Sequence, residues 1–523
     1  MQIHVGYNTK NQYGNNHLFS PRELKWILLI TILILHGRIL KAQNIRAYLN
    51  DSLLYAEGMM EYELRTGEWK YYDTKNKKLI QKGIYLEGKK EGIWESYFPE
   101  GGIQTELEYK NDILNGKSKT YHNNGNLKSS GTYGDAKKEG VWKYYHSNQT
   151  IETEILYAND LAEGNVKYYN FFGRVMQDEN WLQGKKHGKW IEYYLSNQVS
   201  VSGKYWQGKT DSTWTYFAKS GIVTEVRQYD KGVPVGVWQT YNEFGTILSK
   251  KIYEKGLAEG KWEEFFDNKR VKKITFYKGG LEDSVYFEYF SSGRKSVEGG
   301  FKHGLKSGLW ATYFIRGGLY STGEFKAGKK EGLWKYFYQK GILAEEGKYA
   351  NGEESGQWIT YYDNGQLKSV GSYINGEEDG LWGIFHPTGR LMQEENWEAG
   401  RLWNVSTVIT IKGDTLDPGD FKNGNGKKLN YYPEGKLEIS CEFSSGIPNG
   451  LWKYYYSDGV IAEEGQFENG MKSGYWIFYY KNGKKESAGK YADDKKTGSW
   501  IYYNKSGMVL DKVDEDTGKS LKD

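Results

Sequence analysis

The sequence predicts an all-β protein, an elongated single array of about 19 stacked 24-residue β-hairpins forming one long twisted antiparallel sheet. Three observations carry that reading. Tryptophan recurs on a fixed beat from Trp69 to Trp500. Asn-Gly and Asp-Gly turn signals fall at set points within the interval. The segments between them are short and rich in Trp, Tyr, Phe and β-branched residues, and none sustains a 3.6-residue apolar period.

Residues 1–43 stand outside the beat. Residues 26–35 (WILLITILIL) form an apolar run behind Arg22 and Lys25, with Ala42 as a small residue at a cleavage point. About ten apolar residues fall short of the roughly 20 that span a bilayer. A signal segment is therefore expected, and with it export to the periplasm, cell surface or extracellular space. Membrane association is expected only if the segment stays uncleaved. Residues 44–66 read as an N-terminal cap over the first sheet edge.

Residues 67–510 are the array. Tryptophan occupies 14 of 19 phase positions, and Ser118, Val166 and Tyr286 keep the beat at three of the others. One unit reads GQWITYYDNGQLKSVGSYING over residues 356–376. Asn364-Gly365 predicts a two-residue hairpin turn with positive φ at both positions, and Asn375-Gly376 starts the connection to the next unit. That turn makes Trp358 face Gly371 and Gly356 face Tyr373 across the hairpin. Glycine precedes the phase position by two residues in 16 of 19 repeats. A ring laid over this cross-strand glycine is the expected reason. A further ring stands three after the phase position in 18 of 19 repeats. It either makes a second ladder on the opposite face or is turned inward by a bulge. The pattern degenerates near residues 402–428, where Ser406 replaces Trp and Asp417-Pro418-Gly419 intrudes, so a bend or softer joint is expected. Residues 511–523 read as a polar tail.

Composition narrows the function classes. The formal charge is +4 from 71 basic and 67 acidic residues, interspersed in runs such as residues 328–332 (GKKEG) that read as solvated turns. No basic block points to nucleic acid. A single cysteine, Cys441, excludes an intrachain disulfide framework and reads as a packed small residue. Residues 203–210 (GKYWQGKT) spell a phosphate-binding loop, but both glycines occupy ordinary repeat columns and no helix is expected to follow. The pairs Glu345-Glu346, Glu394-Glu395 and Glu463-Glu464 recur at one phase on adjacent positions, so they point to opposite faces and read as solvation. The 8 histidines read as scattered, with no metal-ligand spacing. No catalytic residue, cofactor site or metal site is expected, and the chain is read as not an enzyme.

The spelling Gly-x-Trp-x-x-Tyr-Tyr-x-x-Asn-Gly-x-Leu-x-x-x-Gly-x-Tyr resembles the bacterial variant of the MORN repeat, found in proteins often labelled YwqK-type antitoxins. The resemblance implies a twisted β-array used for binding or scaffolding, and the label implies neutralising a partner toxin by direct contact. The expected function is a non-catalytic surface for an unknown protein partner, which in the antitoxin sense is a toxin. The alternative is a glycan or cell-wall binder acting through aromatic ladders. The candidate surface rings are Tyr145, Tyr193, Phe217, Tyr241, Tyr313, Tyr361, Tyr455 and Tyr479.

Overall fold

The computed structural model describes residues 43–49 and 54–521. The signal or anchor expected at residues 1–43 lies outside the described residues except for Gln43. Among the described residues there are 44 strands and no helix. The chain forms two compact units, Met1–Gly245 and Thr246–Asp523.

In the first unit, each strand from Gln43–Leu49 to Val233–Tyr241 pairs antiparallel with the next in the chain. The residues read as a cap supply all but Gln43 of Gln43–Leu49 and the whole of Leu54–Glu61, which form a hairpin and pair onward to Leu64–Asp73. The second unit repeats the plan from Ile247–Glu254 to Arg401–Val405. There the ladder stops. Val408–Ile409 pairs only with Thr415–Leu416, and a nine-stranded sheet runs from Gly426–Tyr431 to Lys519–Ser520. The interruption falls where the repeat degenerates. The segment read as a tail carries part of Val509–Asp514 and all of Lys519–Ser520, which pair with each other.

The expected register is present. Trp358 pairs with Gly371 and Gly356 with Tyr373. The turns are exchanged, however. At Asn364 only Gly365 has positive φ, at 81°. Tyr362 N–H donates to Gln366 O and Gly365 N–H to Tyr362 O, which closes a three-residue loop. Its extra residue is absorbed by a bulge between Thr360 and Tyr361, so the register beyond it is still the one a two-residue turn would set. The tight turn with both residues left-handed is the connection between repeats: Asn375 and Gly376 have φ of 52° and 81°, and Ile374 pairs directly with Glu377. Asn364 avoids that conformation because its side chain is engaged. Its Oδ1 accepts from Gln366 N–H at 3.0 Å and its Nδ2 donates to Pro387 O at 2.8 Å.

Two glycine columns serve different ends. The glycine two before Trp is not covered by a ring: a Cβ on Gly356 would meet nothing within 4 Å. Its φ of +69° is the requirement, because it sits in a second bulge where Gly347 pairs with Trp358 but Lys348 pairs with Ser355. That bulge frees Lys348 O from the ladder, and the Trp358 indole N–H donates to it at 3.1 Å. The same bond joins Trp69 to Met59, Trp142 to Thr132, Trp334 to Glu324 and Trp500 to Lys490.

The covered glycine is the other one. The indole lies on the glycine eleven residues before it, in the preceding repeat, where a Cβ on Gly347 would stand 2.1 Å from Trp358 Cδ2. Aromatic edges make the walls, as Tyr349 stands T-shaped between Trp334 at 6.1 Å and Trp358 at 5.1 Å. A cationic lid completes many seats: Lys330 Nζ is 4.7 Å from the Trp334 ring centre and Lys472 Nζ 4.0 Å from that of Trp476. All ten indoles with glycine below them are buried, from Trp500 at 0% exposure to Trp382 at 8%. The four with another residue there, Trp190, Trp238, Trp262 and Trp452, are only half-buried. Where the lower residue is large, the upper one can shrink, as Ser118 pairs with Leu107. At Trp190 the seat holds Glu179, and the indole leans onto Trp214 at 5.1 Å.

Candidate interaction surface

The ring three after the phase position belongs to the face opposite the indoles. Glu346 pairs with Ile359, so its side chain shares that reverse face, and Tyr361 OH donates to Glu346 Oε1 at 3.3 Å. Tyr479 OH donates to Glu464 at 2.8 Å, and Tyr313 OH donates to Glu298. Lysines close these groups, with Lys335 3.3 Å from Glu346, Lys453 2.9 Å from Glu464 and Lys295 2.7 Å from Glu298. Burial, and then the bond to Glu298, pushes the Tyr313 phenol up to about 12. Tyr479 is pushed up to about 12 by burial and Glu464, and Tyr361 is raised by burial and the Glu346 charge. In return, Lys295 and Tyr313 hold the Glu298 carboxyl below its usual range.

All eight candidate rings are half-buried. Tyr145, Tyr193, Phe217 and Tyr241 lie in the first unit, and Tyr313, Tyr361, Tyr455 and Tyr479 in the second. Tyr241 OH donates to Gln239 of its own strand at 3.1 Å. The backbone carbonyls of Tyr145, Phe217, Tyr361, Tyr455 and Tyr479 each accept from the side chain four after the preceding phase position. Tyr193 faces a groove, described below.

Those last bonds come from a column that sequence reasoning passed over. The second member of the Tyr-Tyr doublet is a rung between repeats: Tyr362 OH donates to Phe385 O at 2.8 Å and Tyr480 OH to Tyr503 O at 2.7 Å. His122, His146 and His386 take the same position, each placing Nε2 within 2.6–2.9 Å of the corresponding carbonyl. The histidines are thus not scattered, since three of them share one repeat phase. The recurrence of the doublet was the available signal.

On the reverse face the position directly before the phase residue is aliphatic and exposed in several repeats, with polar residues such as Gln357 and Lys261 in others. In the second unit Leu309, Leu333 and Leu381 are 66%, 49% and 62% exposed. In the first, Ile93 and Val141 are exposed in the same place. Leu309 and Leu333 line one shallow groove with Lys335.

Comparison with known proteins agrees with the repeat. The family model described as MORN repeat variant matches residues 90–111, 114–135, 330–351, 354–375 and 448–469. No curated protein matches the chain. Among solved structures, TcdB2-TccC3 without its hypervariable C-terminal region is similar at 10% identity, covering 92% of this chain and 34% of that one, with a TM-score of 0.12. The Photorhabdus luminescens Tc holotoxin pore is similar at 11% identity over 92% of this chain and 33% of that one, with a TM-score of 0.11. The chain spans about a third of the length of these structures, and TM-scores this low carry no argument.

Proposed function

We propose that the chain is a non-catalytic repeat protein, exported from the cytoplasm, whose hairpin array holds out a repeated surface to a protein partner. The supporting observation is the exposed column of Leu309, Leu333 and Leu381. These side chains take no part in the enclosed indole seats, and large aliphatic side chains facing solvent at one repeat phase, here with Gln357 between Leu333 and Leu381, are the chemistry of recognition. The partner is an apolar-faced protein, and a toxin neutralised by direct contact is the narrower form of this reading. The triple substitution Leu309→Lys, Leu333→Lys and Leu381→Lys tests it on sites that leave the fold untouched. Capture from an envelope fraction by the unaltered chain, lost in the triple variant, is the expected outcome. Equal capture by both, or no stoichiometric protein with either, sinks it. Rescue of growth on co-expression with the captured protein decides the antitoxin form.

The half-buried row of reverse-face rings supports a second reading, polysaccharide binding by stacking. Retention on an insoluble polysaccharide, abolished by Tyr361→Ala together with Tyr455→Ala, is its expected result.

A further inference from the structure

One of the candidate rings that lacks a glutamate partner, Tyr193, faces a groove. At Tyr313, Tyr361 and Tyr479 the hydroxyl is tied to a glutamate of the preceding repeat. For Tyr193 that column holds Asp178, one methylene shorter. Its carboxylate is drawn instead to Asn165 Nδ2 at 2.6 Å, with Lys189 Nζ at 3.6 Å. Among the described residues the Tyr193 hydroxyl has no hydrogen-bond partner and Lys167 makes no ion pair. The space left open is a groove of about 390 Å³ lined by Lys167, Arg174, Val175, Asp178, Tyr193 and Asn197.

The lining has a definite chemistry. The Tyr193 ring is a half-exposed platform for the C–H face of a sugar. Asp178 is 8% exposed and held in place by Asn165, a fixed acceptor for ligand hydroxyls. Asn197 adds an amide that both donates and accepts. Lys167 and Arg174 are exposed cations at the rim, and Arg174 spends one nitrogen on Leu195 O at 2.6 Å, leaving its other donors free. Two rim cations against one carboxylate favour a ligand that brings negative charge.

We propose that this groove is a subsite for an acidic saccharide, with a uronic-acid ring stacked on Tyr193, its carboxylate held by Lys167 and Arg174, and a hydroxyl bound to Asp178. The assignment rests on the polysaccharide reading and names its sugar class, and it is independent of the protein-partner reading. Calorimetric titration of the full chain with oligogalacturonate, maltohexaose and inorganic phosphate tests it. Saturable binding of oligogalacturonate is expected, weakening with added salt. Tyr193→Ala and Lys167→Gln should each lower the affinity about tenfold, while Tyr193→Phe, which keeps the ring and the fold, retains it. Tyr361→Ala, in the other unit, should leave this binding unchanged even if it abolishes retention on insoluble polysaccharide, which separates the groove from the ladder. Equal binding of maltohexaose overturns the acidic class, and phosphate binding with the same sensitivity to Lys167→Gln overturns the sugar. Absence of saturable binding, or indifference to both Tyr193→Ala and Lys167→Gln, overturns the site.

Discussion

At the scale of single residues, glycine matters in two unrelated ways that look alike in the sequence. Gly347 is a floor, and adding one methyl forces Trp358 off its seat. Gly347→Ala should cost about 1–3 kcal/mol, seen as faster amide exchange in the strands on either side. Gly356 is a joint whose surroundings are open but whose backbone is left-handed. Gly356→Ala should cost about 1–2 kcal/mol. Gly356→Asn should cost less, since Ser212 and Ser284 hold the same conformation at φ 57° and 73°. Equal losses from alanine and asparagine would refute the conformational account. The pairing of these glycines was legible from spacing alone. Spacing places the covering ring within the hairpin, whereas it comes from the next repeat, because one-dimensional spacing does not distinguish the two neighbours of a strand. The Tyr313–Glu298 contact gives a pH prediction. The raised phenol contributes stability that is full below about 10, the ordinary phenol value, and is lost as pH rises toward about 12. The depressed carboxyl contributes above the ordinary carboxylate range and loses its share as pH falls through it. Tyr313→Phe should make the alkaline loss in a thermal unfolding series smaller by the share of Tyr313, while Tyr361 and Tyr479 keep theirs, and should leave the neutral range unchanged.

At the scale of the hairpin, two Asn-Gly dipeptides take different turns, and the difference lies outside the dipeptide. Asn364 is drawn into side-chain bonds with Gln366 and Pro387, while Asn375 stands in a direct two-residue link between paired strands. The sequence carries the positions of both turns but not which is tight, since that depends on a carbonyl of the following repeat. The face of the third ring was likewise open from sequence and is settled by its bonds to Glu298, Glu346 and Glu464. The rungs from the second tyrosine are an inter-repeat tie with a measurable value. Tyr362→Phe removes one hydrogen bond to Phe385 O and should cost about 1 kcal/mol, with increased exchange confined to the adjoining loops. A change distributed along the whole unit would argue against a local tie.

At the scale of the whole molecule, the beat of tryptophans foretold the hairpin order within each unit, and its failure near residues 402–428 foretold the place where the ladder stops. The chemistry that replaces the missing indoles there was not legible. Lys428, at a phase position, reaches Glu395 at 2.6 Å, and both side chains are largely buried. This bond joins Leu391–Glu398 to Gly426–Tyr431 across the interruption. Lys428→Met should cost about 3–5 kcal/mol by leaving the buried carboxylate unpaired. Adding Glu395→Gln should recover much of that loss in a double-mutant cycle. Additive losses would mean that the two side chains do not work as a pair. Surface identity, by contrast, was only partly readable. The eight rings could be named from their column, but the residue fifteen before each one varies, with Ser130 for Tyr145, Asp178 for Tyr193 and Val226 for Tyr241, so no period announces the groove beside Tyr193.

Where a carbonyl released by a bulge is taken up by the following indole, as at Trp334 and Trp358, it acts as an alignment pin between neighbours. Because every pin engages the unit beside it, copies can be added or lost in whole periods without disturbing the seam. Excision of residues 330–353 would put Glu354 in the place of Lys330 and Trp358 in that of Trp334, so the next indole meets the same released carbonyl. Removing one residue more would misplace the pin at the junction, where Trp358 would no longer meet Glu324 O, while the pins beyond it, each closed within ten residues, keep their partners. Arrays of this kind therefore change size by gene-level duplication or loss of complete modules, and tolerate partial ones poorly.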